Sequence, residues 1–202
     1  MQKLLWVLIM IATMSNASPW ERIMIGTQAL DVLQEAYDLY DSKGISARFY
    51  LEDDKEDMHH LLTLVMDDQT GGCSGKSIQK GTYKVKGNTL ILYHLWDRKR
   101  SQKEAPFGAS IEVYTLYHDK LKRVSNKIYI ESHAFSQHDK SAMQYLFNPP
   151  QTPAQKAQLL AYKKEIEKRY KGKFVAKEPL LSEVQKALKP KKHTAWKTFQ
   201  EQ

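Results

Sequence analysis

The stretch Gly81–Trp96, GTYKVKGNTLILYHLW, gives the clearest indication of fold in this sequence. In its first half, apolar side chains such as Tyr83 alternate with lysines, as in a β-strand with one covered and one solvent-exposed face. Gly87-Asn88 follows, a dipeptide that favours a two-residue turn between antiparallel strands. The second half, Thr89–Trp96, is apolar on both faces, which is typical of a central, well-covered strand. The stretch therefore predicts an antiparallel hairpin.

Four other segments share this strand character and lie on both sides of the hairpin. They are ARFYLED from Ala47, MHHLLTLVMD from Met58, SIEVYTLYHD from Ser110 and NKIYIESH from Asn126. Strands joined by short connections, with no helical pattern between them, predict an antiparallel meander, because parallel neighbours need a long crossover. GTYKVKGNTLILY resembles hairpins of lipocalin-like bacterial domains, although the Gly-x-Trp start of true lipocalins is absent. We therefore expect an α+β fold built on an antiparallel β-meander or open lipocalin-like barrel of about six strands.

Helical patterns lie only outside the predicted strands. Residues 18–44 begin with SPWE, the signature of a capped helix start, and carry apolar residues at helical spacing, so they predict an N-terminal helix. After residue 150, Thr152-Pro153 predicts the start of a helix that ends near Gly172, and a shorter helix follows at 181–188. The predicted organisation is thus a helix plus antiparallel sheet domain over residues 18–150 and a helical C-terminal tail over 151–202.

Residues 1–17, MQKLLWVLIMIATMSNA, have the pattern of a secretory signal peptide. Lys3 supplies the positive start, an uncharged run extends from Leu4 to Met14, and small residues precede the predicted cleavage after Ala17. The run would span about 17 Å as a helix, whereas the hydrocarbon core of a bilayer is about 30 Å thick, so a membrane anchor is disfavoured. We therefore expect a secreted or periplasmic protein with no transmembrane segment in the mature chain.

The excess positive charge is confined to the C-terminal tail. Residues 151–202 contain 13 Lys and Arg against 5 Asp and Glu, whereas residues 1–150 contain 18 of each, which accounts for the formal net charge of +8. Basic residues interleaved with aromatic ones suit an anionic surface. Because export argues against nucleic acid, the tail predicts docking to an anionic envelope surface or an acidic protein.

The stretch Thr70–Ser77, TGGCSGKS, resembles a phosphate-binding loop but lacks its first glycine, because Thr70 stands in that place. The sequence after it is strand-like rather than helical, so the stretch predicts a glycine-rich connection between two strands. Cys73, the single cysteine, leaves no internal disulfide and is a candidate reactive thiol. Its alternatives are a buried structural role and an intermolecular disulfide.

Metal and cofactor sites are not predicted. His59 and His60 are adjacent on a predicted strand and point to opposite faces, and no histidine has the spacing of a zinc-binding motif. The acidic run Glu52–Asp57 lacks the alternating ligands and glycine of a calcium loop, so it predicts a solvated hairpin.

Three functions follow from these patterns, in order of preference. The first is a non-enzymatic binding protein that holds a small apolar or amphipathic ligand in the concave face of the sheet. The expected lining residues are Tyr83, Leu92, His94, Trp96 and Tyr117. The second is an interaction protein that docks through its basic tail. The third, and least favoured, is an enzyme that uses Cys73 with a histidine.

Overall fold

Nine strands and three helices make up the described part of the chain, which in the computed structural model comprises residues 18–39, 42–52, 58–72, 75–99, 107–132 and 140–189. In chain order they are β1 (Trp20–Ile25), β2 (Gln28–Asp38), β3 (Ser42–Glu52), β4 (Met58–Gly72), β5 (Gly75–Lys86), β6 (Thr89–Lys99), β7 (Phe107–Tyr117), β8 (Lys120–Ser132), α1 (Lys140–Gln144), α2 (Pro153–Tyr170), β9 (Lys173–Phe174) and α3 (Lys177–Leu188). Among the helices in these ranges, none is both long enough and apolar enough to cross a membrane.

All nine strands belong to one sheet in which the spatial order follows the chain order. Strands β1 to β8 form an antiparallel meander, and β9 adds in parallel to β8 through the pairs Lys127–Lys173 and Ile128–Phe174. The predicted antiparallel meander is confirmed, with eight strands rather than about six and a short parallel strand at its end. The sheet is not closed into a barrel, because β1 and β9 are its two edges.

The N-terminal helix predicted over residues 18–44 is wrong. This segment forms β1, β2 and the start of β3, and Gly26, with φ of 62°, lies in the turn between β1 and β2. Leu30 and Val32, two residues apart, are both fully buried, so the segment is organised with the period of a strand. A short apolar segment fits both periods, and here pairing with a neighbour on each side of β2 decides the outcome.

The meander folds over on itself between β4 and β5. These strands pair only through residues 67–72 and 75–80, so the first part of β4 pairs with β3 alone. At the divergence point a Cβ on Gly81 would lie 2.2 Å from the Val65 carbonyl oxygen, which only glycine avoids. The fold-over brings two hairpin turns together, and the amide of Gly26 donates a hydrogen bond of 2.9 Å to the carbonyl of Gly87.

The main hydrophobic core lies between the two layers that the fold-over creates. Side chains from β1 to β4 pack there against side chains of β6, and Phe49 contacts Tyr83 with ring centroids 5.1 Å apart. The largest members are almost fully shielded from water: Leu30, Val32, Phe49, Leu64, Leu90 and Leu92. Burial of each such side chain favours folding by about 1.5–3 kcal/mol, which stabilises the contact between the layers.

Helices cover both faces of the part of the sheet that β6, β7 and β8 form. Helix α3 packs Leu180, Leu181 and Val184 against one face, which includes Tyr93 and Ile111. Helix α2 packs Tyr162 and Ile166 against Ile128 and Ile130 on the opposite face. The C-terminal tail is therefore an integral part of the fold up to residue 189 rather than an appendage to it.

A carboxylate ties β2, β3 and β4 together at one end of the meander. Asp68 accepts hydrogen bonds from the hydroxyls of Tyr37 (2.7 Å), Thr70 (2.8 Å) and Ser42. Burial opposes the ionisation of Asp68, but these three bonds outweigh it and hold the pKa of Asp68 below its ordinary value. The same arrangement raises the pKa of Tyr37 to about 12, through burial and the hydrogen bond to Asp68.

Candidate functional site

An open groove of about 660 Å³ runs between strand β8 and the turn that connects α2 to β9. Five consecutive residues of β8, from Arg123 to Lys127, form one wall. Glu167, at the end of α2, and the turn residues Lys171–Lys173 form the other wall. The groove thus lies where the sheet meets the basic tail.

The β8 wall is the outer edge of the antiparallel meander. Strand β9 covers this edge only at Lys127 and Ile128, and the amide of Val175 donates to the carbonyl of Ile128 at 2.9 Å. Among the described residues, no strand pairs with the outer edge of β8 before Lys127. The backbone of this segment is therefore exposed along the groove.

The opposite wall is a sharp turn that begins where α2 ends. Helix α2 begins at Pro153, directly after Thr152, as the sequence predicts. Thr152 and Gln155 form a capping box at this start. It ends at Lys171, which adopts the left-handed conformation (φ 49°), and the amide of Gly172 donates to the carbonyl of Glu167 at 3.1 Å. The Glu167 carboxylate in turn accepts the amide of Phe174 at 2.9 Å. These bonds fix the turn residues in place.

Two polar side chains of β8 hold the two walls together. Asn126 donates from Nδ2 to the carbonyl of Tyr170 at 3.0 Å, and Arg123 donates to the carbonyl of Lys171 at 3.3 Å. Arg123 also forms an ion pair of 3.1 Å with Glu112, whose carboxylate accepts the Tyr114 hydroxyl. Burial, together with this carboxylate, raises the pKa of Tyr114.

Asn126 and Gly172 approach each other so closely that the glycine is required. A Cβ on Gly172 would lie 2.7 Å from Asn126 Nδ2 and 2.8 Å from its Cγ. Asn126 is buried, and its Oδ1 has no hydrogen-bond partner within the described part of the chain. The floor of the groove is therefore tightly packed around this buried acceptor.

The groove is positively charged. Arg123, Lys127, Lys171 and Lys173 line it against one carboxylate, that of Glu167, and the three lysines are exposed. The tail around it is basic as well, and α2 has Lys168 and Arg169 in its last turn, where they interact favourably with the helix dipole. Such a surface attracts anionic groups.

Four of the five predicted ligand-site residues share one face of the sheet. Tyr83 pairs with Leu92, and His94 and Trp96 follow at two-residue spacing along β6. Tyr83 and Leu92 pack in the core between the layers, and the Tyr83 hydroxyl donates to Glu21 at 2.6 Å. His94 and Trp96 are stacked with ring centroids 6.0 Å apart, beneath Tyr170 of α2. Tyr117 lies at the end of β7 and is 66% exposed.

His94 lies in a polar patch within the apolar interior. It pairs across the sheet with Ser110, and His94 Nε2 and Ser110 Oγ are both buried with no hydrogen-bond partner among the described residues. Burial lowers the pKa of His94 although Glu112 opposes this effect, so the imidazole is neutral at pH 7. Because Ser110 is only 1% exposed and makes no hydrogen bond to His94, the pair does not have the geometry of a nucleophile with its base.

The remaining sequence candidates are the TGGCSGKS connection with Cys73, a metal site and the pair His59 and His60. The connection predicted for TGGCSGKS does join two antiparallel strands, since Gly72 pairs with Gly75, but Cys73 lies outside the described residues. Within the described ranges, no three His, Cys, Asp or Glu side chains are grouped so that they could hold a metal ion. His59 and His60 are both exposed on β4.

Sequence reasoning located the charge of the groove but missed its geometry. Arg123 and Asn126 carry no signal of it, because nothing local in the sequence indicates that β8 packs beside the end of α2. The one usable signal was the predicted helix stop at Gly172.

Comparison of the chain with protein-family models, with curated protein sequences and with solved structures finds no match. The function of this chain is therefore inferred from the groove itself.

Proposed function

We propose that this protein is a non-enzymatic binding protein that docks onto an anionic partner through the groove between β8 and the α2–β9 turn. The observation that carries the proposal is the convergence of Arg123, Lys127, Lys171 and Lys173 on one groove from two walls. Hydrogen bonds fix these walls, so the backbone that carries the cationic side chains is in place before a partner binds.

The charge of the surrounding tail supports this proposal. Residues 151–189 contain 10 Lys and Arg against 4 Asp and Glu, so the groove lies within a larger positive field. Such a field accelerates encounter with an anionic partner and weakens as salt is added. Under the predicted export, the partner would be an envelope surface or an acidic protein outside the cytoplasm.

The function that the sequence favours first, binding of a small apolar or amphipathic ligand in the concave face of the sheet, is less favoured by the packing. Leu92 and its neighbours fill the space between the layers, and Tyr170 covers Trp96. A ligand there would have to displace well-packed side chains, whereas the groove is open to solvent.

The proposal is tested by charge reversal at matched positions. The variant K127E/K171E/K173E changes the groove, and K43E/K86E/K156E changes three exposed lysines elsewhere with the same effect on net charge. Binding to poly-L-glutamate and to phosphatidylglycerol vesicles is measured between about 50 mM and about 300 mM salt. We expect the groove variant to lose at least about 10-fold in affinity for one of these probes, with the control much closer to wild type. Equal losses in both variants would mean that net charge, not the groove, is responsible.

A further inference from the structure

The outer edge of β8 is used along only part of its length. The carbonyl of Ile130 accepts the Tyr162 hydroxyl at 2.9 Å, and the carbonyl of Ile128 accepts the amide of Val175. The segment Lys120–Asn126 continues the same edge and has no partner strand in the described part of the chain. A strand edge left open in this way presents backbone donors and acceptors to any extended chain that reaches it.

The groove overlaps this open edge at residues 123–126, because Lys127 already pairs with Lys173. This part of the β8 wall spans about 13 Å at the usual rise of a strand, which is the length of an extended segment of about four residues. The opposite wall begins at the turn before β9, so a chain in the groove would lie in line with β9. Val124, 53% exposed, offers an apolar contact at this edge.

We infer that the groove takes up an extended acidic peptide. The peptide adds to the open edge of β8 as a further strand, in line with β9. This inference rests on the function proposed above and names the class of partner. Main-chain hydrogen bonds to β8 would supply affinity, and acidic side chains on one face of the peptide would meet Lys127, Lys171 and Lys173.

Two observations favour a peptide over a lipid headgroup or polyphosphate. A strand edge exposes carbonyl oxygens as well as amides, and the groove also contains the Glu167 carboxylate. These acceptors repel bare phosphate but match the amide donors of a peptide backbone. The C-terminal segment of this chain, residues 190–202, contains three lysines and one glutamate, so its charge makes it a poor occupant.

The experiment compares two forms of one acidic peptide on the full protein. The probe is a ten-residue peptide of alternating Glu and Val, and its control carries N-methyl groups on alternate backbone nitrogens, which block strand pairing without changing charge. Affinity is measured by calorimetry, and amide hydrogen exchange of residues 120–126 is followed by NMR. We expect the control to bind at least about 10-fold more weakly and the unmodified peptide alone to slow exchange in this segment.

Each alternative outcome is distinguishable. Equal binding of both peptides, without protection of residues 120–126, would overturn strand addition while leaving anion docking intact. Binding to phosphatidylglycerol vesicles but to neither peptide would likewise overturn strand addition and make a lipid surface the partner. Protection of residues 120–126 in the free protein, together with concentration-dependent dimerisation, would assign the edge to a second copy. If no probe binds, both the groove function and the strand addition are wrong.

Discussion

Substitution of Gly172 by alanine tests the contact that closes the floor of the groove. The added Cβ would lie 2.7 Å from Asn126 Nδ2, whereas dispersion contacts are optimal near about 3.5 Å, so the amide must move by roughly 0.8 Å. A displacement of this size is enough to break the 3.0 Å hydrogen bond from Asn126 to Tyr170. The substitution should therefore separate the β8 wall from the end of α2.

The expected cost follows from the groups left unpaired. Loss of the hydrogen bond costs about 1 kcal/mol, and the stranded polar groups cost about 1–3 kcal/mol more. Replacing glycine restricts the unfolded chain and offsets roughly 0.5 kcal/mol of this loss. Gly172→Ala should thus lower the free energy of unfolding by about 2 kcal/mol, measured as a shift in the urea midpoint at constant slope.

A double-mutant cycle with Asn126→Ala identifies the cause. In that background the colliding amide is absent, and the next contact of the added Cβ is the Asn126 backbone carbonyl oxygen at 3.1 Å. Gly172→Ala should then change the free energy of unfolding by less than about 0.5 kcal/mol. A loss of about 2 kcal/mol in both backgrounds would refute the reasoning, because it would show that the cost arises elsewhere than at Asn126.

Three further outcomes are expected, each measured by equilibrium unfolding. Leu92→Ala, in the core between the layers, should lower the free energy of unfolding by about 3 kcal/mol, whereas Leu160→Ala at an exposed position should lower it by less than about 0.5 kcal/mol. Small losses in both variants would mean that the layers are loosely packed. Burial holds the pKa of His94 below its ordinary value of 6.5. As the pH falls below about 6.5, the unfolded chain therefore binds a proton at His94 more readily than the folded chain does. Stability should decline in that window, and His94→Gln should flatten the decline; an unchanged profile would refute this role. Asp68→Ala should lower the free energy of unfolding by about 2 kcal/mol at pH 7, because three hydroxyls lose their acceptor. This difference from wild type should shrink below pH 3.8, where protonation of Asp68 removes the stability that its depressed pKa supplies. A difference that stays constant with pH would contradict an ionised Asp68.

The parts of the fold that depend on local chemistry were predictable from the sequence. The hairpin over Gly81–Trp96 is present, with Gly87 at φ 59° in its turn, because positive φ is a property that the residue itself favours. Helix α2 begins beside Thr152 for a similar reason, since its cap is formed by residues three apart. Such features need no information from distant parts of the chain.

The features that depend on distant contacts were not predictable. The sequence predicts a helix where β2 forms, because the position of Leu30 fits both the helical and the strand period. Only the pairing of β2 with β1 and β3 distinguishes the two structures. The groove requires Asn126 and Gly172 to meet, although they are 46 positions apart and neither carries a motif. The basic charge of the tail was visible in the sequence, but which lysines share a groove depends on the parallel pairing of β9.

The fold-over between β4 and β5 also dictates an order of assembly. Leu30 and Leu90 pack in the same core although they are 60 positions apart, so strands β1 and β2 have no surface to cover them until β6 is in place. Contacts of such long range are slow to form, because the chain between them must be ordered first. During refolding, β1–β4 and β5–β8 should each pair early by local hairpins, and the two layers should dock last. The turn contact between Gly26 and Gly87 would then report completion of the native state.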